Sequence, residues 1–194
     1  MDDKIALEIT SKAALHASDS LSKLTGNPVE VKFSQMRTSS LDDIPVRIRP
    51  EEMVTATYLR VTGDISGAAL LVFPVEGALL LSDTLLKREA GTTTVLKELE
   101  TSALKEVGNI VTGAYLTVLS DLSSVRLVEN APHFSADMFG AVLSQVLAEC
   151  AARAQEALIA EVEFAFVQSP IRAHFLVLFS EEDSELVFKA TARA

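Results

Sequence analysis

The chain has 194 residues, 48% apolar and 23% charged, the profile of a folded globular protein of one large domain or two small ones rather than a disordered chain. Its 17 basic and 27 acidic side chains leave a net charge of −10 with no Lys/Arg-rich run, which argues against non-specific nucleic-acid binding, since that needs a basic footprint. The most apolar stretch, 67–81, is broken by Pro74 and Glu76 and falls short of the roughly 20 residues of a bilayer span, so no membrane insertion is expected.

The opening MDDKIALEIT lacks the basic-then-apolar order of a secretion signal. The single cysteine, Cys150, cannot form an intrachain disulfide and reads as a small apolar helix residue. Both point to the cytoplasm. A helical pattern then runs from about Asp3 to Leu24 and stops at Gly26-Asn27-Pro28. A strand-like run follows at 28–36, then a Pro-containing loop at 41–50. Residues 53–63 and 65–73 read as a hairpin around Gly63-Asp64, followed by an amphipathic segment at 76–87 and a connector at 87–94.

The order then recurs. A second long helical pattern spans about Thr94 to Leu122, with a strand-like run at 124–132 and a helical stretch at 137–154. A second hairpin is expected from 157–167 and 171–179 around Gln168-Ser169-Pro170, and a last helix over 180–191 opens with Ser180 and acidic residues. Glu8 and Glu106 are 98 apart, as are Leu21 and Leu119; Phe73 and Phe179 are 106 apart. Eight extra residues are therefore expected where the first half has its Pro-containing loop and the second its helical stretch. A period near 100 is too long for a solenoid. The expected fold is α/β (α+β): a single domain, 1–194, built from two repeats of about 1–90 and 91–194, pseudo-two-fold, with one antiparallel sheet shared by both halves and long paired helices.

Within the second long helix, Ser102, Glu106 and Asn109 fall in about a 60° arc at about 100° per residue. Leu104, Val107, Val111 and Val118 mark another, apolar face. Gly108 and Gly113 each cost about 1 kcal/mol in a helix relative to Ala, so something is expected to pack closely there: the matching helix of the first half, or a partner. From spacing alone, a Glu and an Asn on a helix most often form a solvated face.

Ser102, Glu106 and Asn109, with Pro132 after 22 intervening residues, match a longer pattern. It resembles the signature of the CheC/CheX/FliY family of chemotaxis response-regulator phosphatases: Asp or Ser, three residues, Glu, two residues, Asn, 22 residues, Pro. The resemblance covers essentially the whole chain, and the duplicated architecture is similar to CheC rather than to the shorter CheX. It implies hydrolysis of the aspartyl phosphate of a CheY-like receiver. Asn109 would orient the attacking water. Glu106 would contact the receiver's active-site lysine, Ser102 would cap or position Glu106, and Pro132 would be structural. The protein would need no cofactor of its own, with Mg²⁺ supplied by the receiver. The offset of 98 carries the four positions to Lys4, Glu8, Ser11 and Ser34 in the first half. Only the glutamate survives, so Glu8 and Ser11 mark a degenerate first site.

The competing reading is an adaptor that binds a phosphorylated receiver, CheD, or both with little turnover. No switch-type domain follows residue 194, which speaks against a FliY-like rotor subunit, and the built-in duplication favours a monomer. His16, His133 and His174 show no metal-ligand spacing, and no metal site is expected; His133, next to Pro132, reads as structural or surface.

Overall fold

A computed structural model of the chain describes residues 3–34, 37–46, 48–150, 154–165 and 170–191. The first half runs α1 (Asp3–Thr25), β1 (Glu30–Phe33), β2 (Arg37–Ser40), a 3-10 turn (Leu41–Val46), β3 (Met53–Gly63), β4 (Gly67–Pro74) and α2 (Val75–Leu85). The second runs α3 (Glu98–Ser123), β5 (Leu127–Glu129), β6 (His133–Met138), α4 (Phe139–Cys150), β7 (Glu156–Ala165), β8 (Pro170–Phe179) and α5 (Glu181–Thr191). The two series match element by element, except that α4 stands where the first half has only a 3-10 turn.

All eight described strands join one antiparallel sheet in the order β1-β7-β8-β4-β3-β5, with β2 also on β7 and β6 also on β3. The outer strands are exchanged. β1 and β2 of the first half extend the second half's hairpin, and β5 and β6 extend the first half's. At the centre β4 pairs with β8, and Leu70 lies directly opposite Leu176. These two residues are 106 apart (176 − 70), the offset read from sequence, so the pseudo-two-fold axis passes through this pair.

The register relocates part of the insertion. Val61 pairs with Gly67, and Val162 pairs with Ala173. Gly67 and Ala173 keep the offset of 106, whereas Val61 and Val162 are only 101 apart (162 − 61). Five of the extra residues therefore enter at the β7–β8 turn, whose residues 166–169 lie outside the described ones, and not opposite the Pro-containing loop.

Side chains alternate across the sheet, as the period of 2 requires. One face, with Leu71 and Phe73 of β4 and Phe164 and Phe175 of β7 and β8, packs under α1, α2, α3 and α5. The other, with Tyr58, Leu70 and Leu176, packs under α4 and the 3-10 turn through Phe139, Val142, Val146 and Ile44. Covered on both faces, β4 is buried from Gly67 to Phe73, which explains its unbroken apolar sequence. α1 and α3 lie side by side on the first face. α1 buries Ala6, Ala13 and Ala17 there, and α3 buries Leu104, Val107 and Val111. No described helix is long and apolar enough to cross a membrane.

Candidate active site

The helix α3 begins where the chain between the halves is clamped down. The Asp83 carboxylate, 1% exposed, accepts hydrogen bonds from the Thr93 N–H (2.9 Å) and the Gly91 N–H (2.8 Å). Arg88 reaches over to donate to Thr93 Oγ1 at 3.1 Å and to Glu100 Oε1 at 2.6 Å. The other Glu100 oxygen accepts the Lys97 N–H at 2.8 Å, so this carboxylate satisfies a donor that the helix start leaves open. Burial pushes the Asp83 carboxyl up, but its hydrogen bonds from Thr93, Gly91 and Thr92 outweigh that and hold it below the usual carboxylate range. The Arg88 guanidinium, followed by the hydrogen bonds at the helix start, holds Glu100 low as well. The clamp was not legible in sequence.

One turn on, Ser102 and Glu106 are exposed and Asn109 is half-buried. The sequence-derived arc is present as a row along the outer side of α3, above the buried Leu104, Val107 and Val111. Neither Glu106 nor Asn109 has a side-chain partner among the described residues. Gly108, next to Asn109, faces the sheet rather than the matching helix or a partner: a Cβ there would stand 2.3 Å from Cγ2 of Thr57 on β3. Thr57 Oγ1 donates to the Leu104 carbonyl at 3.2 Å, fixing the same turn. Gly113, one turn beyond Asn109, leaves room for the Glu129 side chain of β5, whose Oε1 lies 3.2 Å from where a Cβ would be. Glu129 was not found from sequence, because only the strand register brings it to this helix.

Pro132 is half-buried between β5 and β6. His133 stacks on Tyr58 (ring centroids 5.3 Å apart), whose ring belongs to the opposite core, so it points away from the Glu106–Asn109 row. His16 lies exposed on α1 and His174 on β8 opposite Val72 and Glu161. The described residues contain no group of three or more His, Cys, Asp or Glu suited to a metal. Cys150 ends α4, and its side chain lies outside the described ones.

The corresponding positions of the first half differ. Glu8 is exposed on α1 and forms an ion pair with Lys12 at 2.7 Å. The residue matching Lys12 in α3 is Ile110 (12 + 98), which offers no charge. Ser11 is exposed. Ser34, which the offset of 98 sets against Pro132, is by strand register the counterpart of Asn130 instead, because β1 and β5 are related by an offset of 96 (129 − 33). It is part of the sheet edge, and its Oγ accepts the Glu161 N–H at 2.8 Å. The side chain of Lys4 lies outside the described ones.

An exposed carboxylate beside an uncharged amide can hold a cation and orient a water while repelling a phosphoryl group less than two carboxylates would. The sequence model of the CheC-like family matches residues 99–127, which run from the start of α3, through this row, to the first residue of β5. Over 192 residues the chain is 28% identical to the CheY-P phosphatase CheC of Bacillus subtilis (strain 168), covering 96% of this chain and 91% of that one. Its fold is similar to Thermotoga maritima FliY, with a TM-score of 0.76, 16% identity and coverage of 100% of this chain and 98% of that one. It is also similar to a chain of the CheX–CheY–BeF3–Mg²⁺ complex from Borrelia burgdorferi, with a TM-score of 0.57, 19% identity and coverage of 91% and 98%.

Proposed function

We propose that this CheC-like chain is a response-regulator phosphatase with one working centre, on α3, that hydrolyses the aspartyl phosphate of a CheY-like receiver. The observation that carries the reading is the asymmetry between the halves. Glu106 and Asn109 stand on the outer side of α3 with no side-chain partner among the described residues, whereas Glu8 is paired with Lys12 and Asn109 is matched by Ser11. The likeness to a CheY-P phosphatase over nearly the whole chain, and to a protein seen with CheY, supports the substrate class.

In this reading the receiver brings its own Mg²⁺ and lysine, which balance charge on the phosphoryl oxygens. This chain brings the geometry. Glu106 takes the receiver's lysine, and Ser102 steadies Glu106 from one turn away. The Asn109 amide accepts a hydrogen bond from water through its oxygen and donates to a phosphoryl oxygen through its nitrogen. Water oxygen bonds to phosphorus, the acyl P–O bond breaks, and the receiver's aspartate and inorganic phosphate are released. Pro132 fixes the turn from β5 to β6. The work is done in the cytoplasm, where such receivers act, by a monomer.

The test is phosphate loss from a phosphorylated CheY-like receiver with the wild type, Asn109→Ala and Ser11→Ala. The wild type accelerates it, Asn109→Ala loses about a hundredfold or more, the scale of one positioning group, and Ser11→Ala behaves as wild type. If the wild type binds the receiver but phosphate decays at its unaided rate, the protein is an adaptor, a reading that the loss of the first-half set independently favours.

A further inference from the structure

We infer that Glu129 is a second docking carboxylate of the α3 site, and that it takes a cationic side chain of the phosphorylated receiver. The inference rests on the receiver-phosphatase reading and extends it to a residue outside the signature.

The geometry comes from two places. β5 pairs with β3, Glu129 opposite Val61, which fixes the backbone beside α3. Leu127 of the same strand points into the helix-side core, so Glu129, two residues on, points the same way. Gly113 then admits the carboxylate against the helix, with Oε1 3.2 Å from where a Cβ would stand. Gly113 is one turn beyond Asn109, and Glu106 is one turn before it. The amide therefore stands between two carboxylates along the helix, at rises of about 6 and about 4.5 Å. Glu129 makes no ion pair among the described residues.

The register shows what occupies the same place in the other half. Val61 and Val162 are equivalent, and Val162 pairs with Phe33 as Val61 does with Glu129. Phe33 packs edge-on against Phe175 at 5.7 Å, a purely apolar role. Leu15 stands where α3 has Gly113 (113 − 98). The carboxylate and its glycine thus occur only in the half that keeps Glu106 and Asn109.

A partner bringing a phosphoryl group toward two carboxylates meets like-charge repulsion unless it also brings cations to both. One falls to Glu106; Glu129 requires a second. That requirement selects among receivers by the basic residue beside their phosphorylation site and makes association salt-sensitive.

The experiment is calorimetric titration of the full chain with a beryllofluoride-loaded CheY-like receiver at low and high salt, for wild type, Glu129→Gln and Gly113→Ala. Glu129→Gln is expected to weaken binding about fivefold at low salt, the scale of one exposed charge pair, and to reduce the loss of affinity on adding salt. Gly113→Ala, whose methyl pushes the carboxylate by a few tenths of an ångström, is expected to shift both readings in the same direction by less than Glu129→Gln. If Glu129→Gln binds with wild-type affinity and wild-type salt dependence, the inference is overturned. Binding is read without turnover. A wild type that binds but does not hydrolyse therefore sinks only the catalytic reading, and a wild type that does not bind the receiver sinks both.

Discussion

Thr57 of β3 and Gly108 of α3 touch where the turn that carries Glu106 and Asn109 rests directly on a strand. The hydroxyl of Thr57 holds the Leu104 carbonyl at 3.2 Å, and its methyl fills the notch that Gly108 leaves. The contact sets the height and rotation of the turn that carries Glu106 and Asn109. Gly108→Ala should gain about 1 kcal/mol of helix propensity. It should lose more, because the new Cβ would stand 2.3 Å from Thr57 Cγ2 and 2.5 Å from Thr57 Cβ. Overpacking costs about 1–3 kcal/mol. Thermal unfolding should show a net loss, and receiver dephosphorylation should fall further than stability explains, since the helix must lift. Thr57→Ser should not rescue it, because the Cβ contact stays.

The clamp at the start of α3 makes stability pH-dependent in a stated direction. Asp83 and Glu100 are both held below their ordinary values, so the unfolded chain takes up their protons first as pH falls. Their contribution is complete above the unfolded values of about 4 and is lost as pH drops through the lower folded ones. Melting temperature should hold from pH 7 to about 5 and decline below about 4. Arg88→Gln leaves the Glu100 carboxylate, 4% exposed, without its cation. It should lower the melting temperature at pH 7 and flatten the decline in acid. An unchanged pH profile in that variant would remove the clamp from the account.

Tyr115 is a different kind of residue on the same helix. It is fully buried, its ring set edge-on to Phe175 at 5.2 Å, and its hydroxyl has no hydrogen-bond partner among the described residues. Burial pushes its pKa far up, so the ring stays neutral at any relevant pH. An unsatisfied buried hydroxyl costs about 1–3 kcal/mol. Tyr115→Phe keeps the aromatic contacts and should stabilise the fold by about 1 kcal/mol, about 2–4 °C in a chain of this size, with dephosphorylation unchanged. A lower melting temperature would mean that the hydroxyl has a partner.

What could be read in advance follows from the range of the interactions. α1, α3 and the two hairpins were legible because apolar spacing and turn residues are local signals, and the duplication followed from residues that match at offsets of 98 and then 106. β2 and β6 were not. RTSS is almost wholly exposed, and HFSADM alternates too weakly to read as a strand. They are strands because β7 and β3 supply partners from the other half. The start of α3 at Glu98 rather than Thr94 reflects the clamp, which keeps the preceding residues out of the helix. The face shared by Ser102, Glu106 and Asn109 came from helical geometry alone. What underlies and flanks it, Thr57 beneath Gly108 and Glu129 beside Gly113, depends on long-range register, and so the glycines were misassigned to a helix–helix or partner contact.

The asymmetry of the halves can be tested by repair. If α1 has lost function through its side chains and not its backbone, restoring them in an Asn109→Ala background should return activity from a silent start. Three changes follow from the alignment of the helices. Ser11→Asn supplies an amide where α3 has Asn109. Lys12→Ile removes the cation that Glu8 holds at 2.7 Å and copies Ile110. Lys4→Ser copies Ser102. The ion pair being released is exposed and worth at most about 1 kcal/mol, so the fold should tolerate the changes. Dephosphorylation above the unaided rate, seen with Ser11→Asn and Lys12→Ile together and not with Ser11→Asn alone, would show that Lys12 silences Glu8. Recovery with Ser11→Asn alone would place the whole loss in the missing amide. No recovery in the full combination would mean that Leu15 and Phe33, where the second half has Gly113 and Glu129, also separate a working face from a silent one.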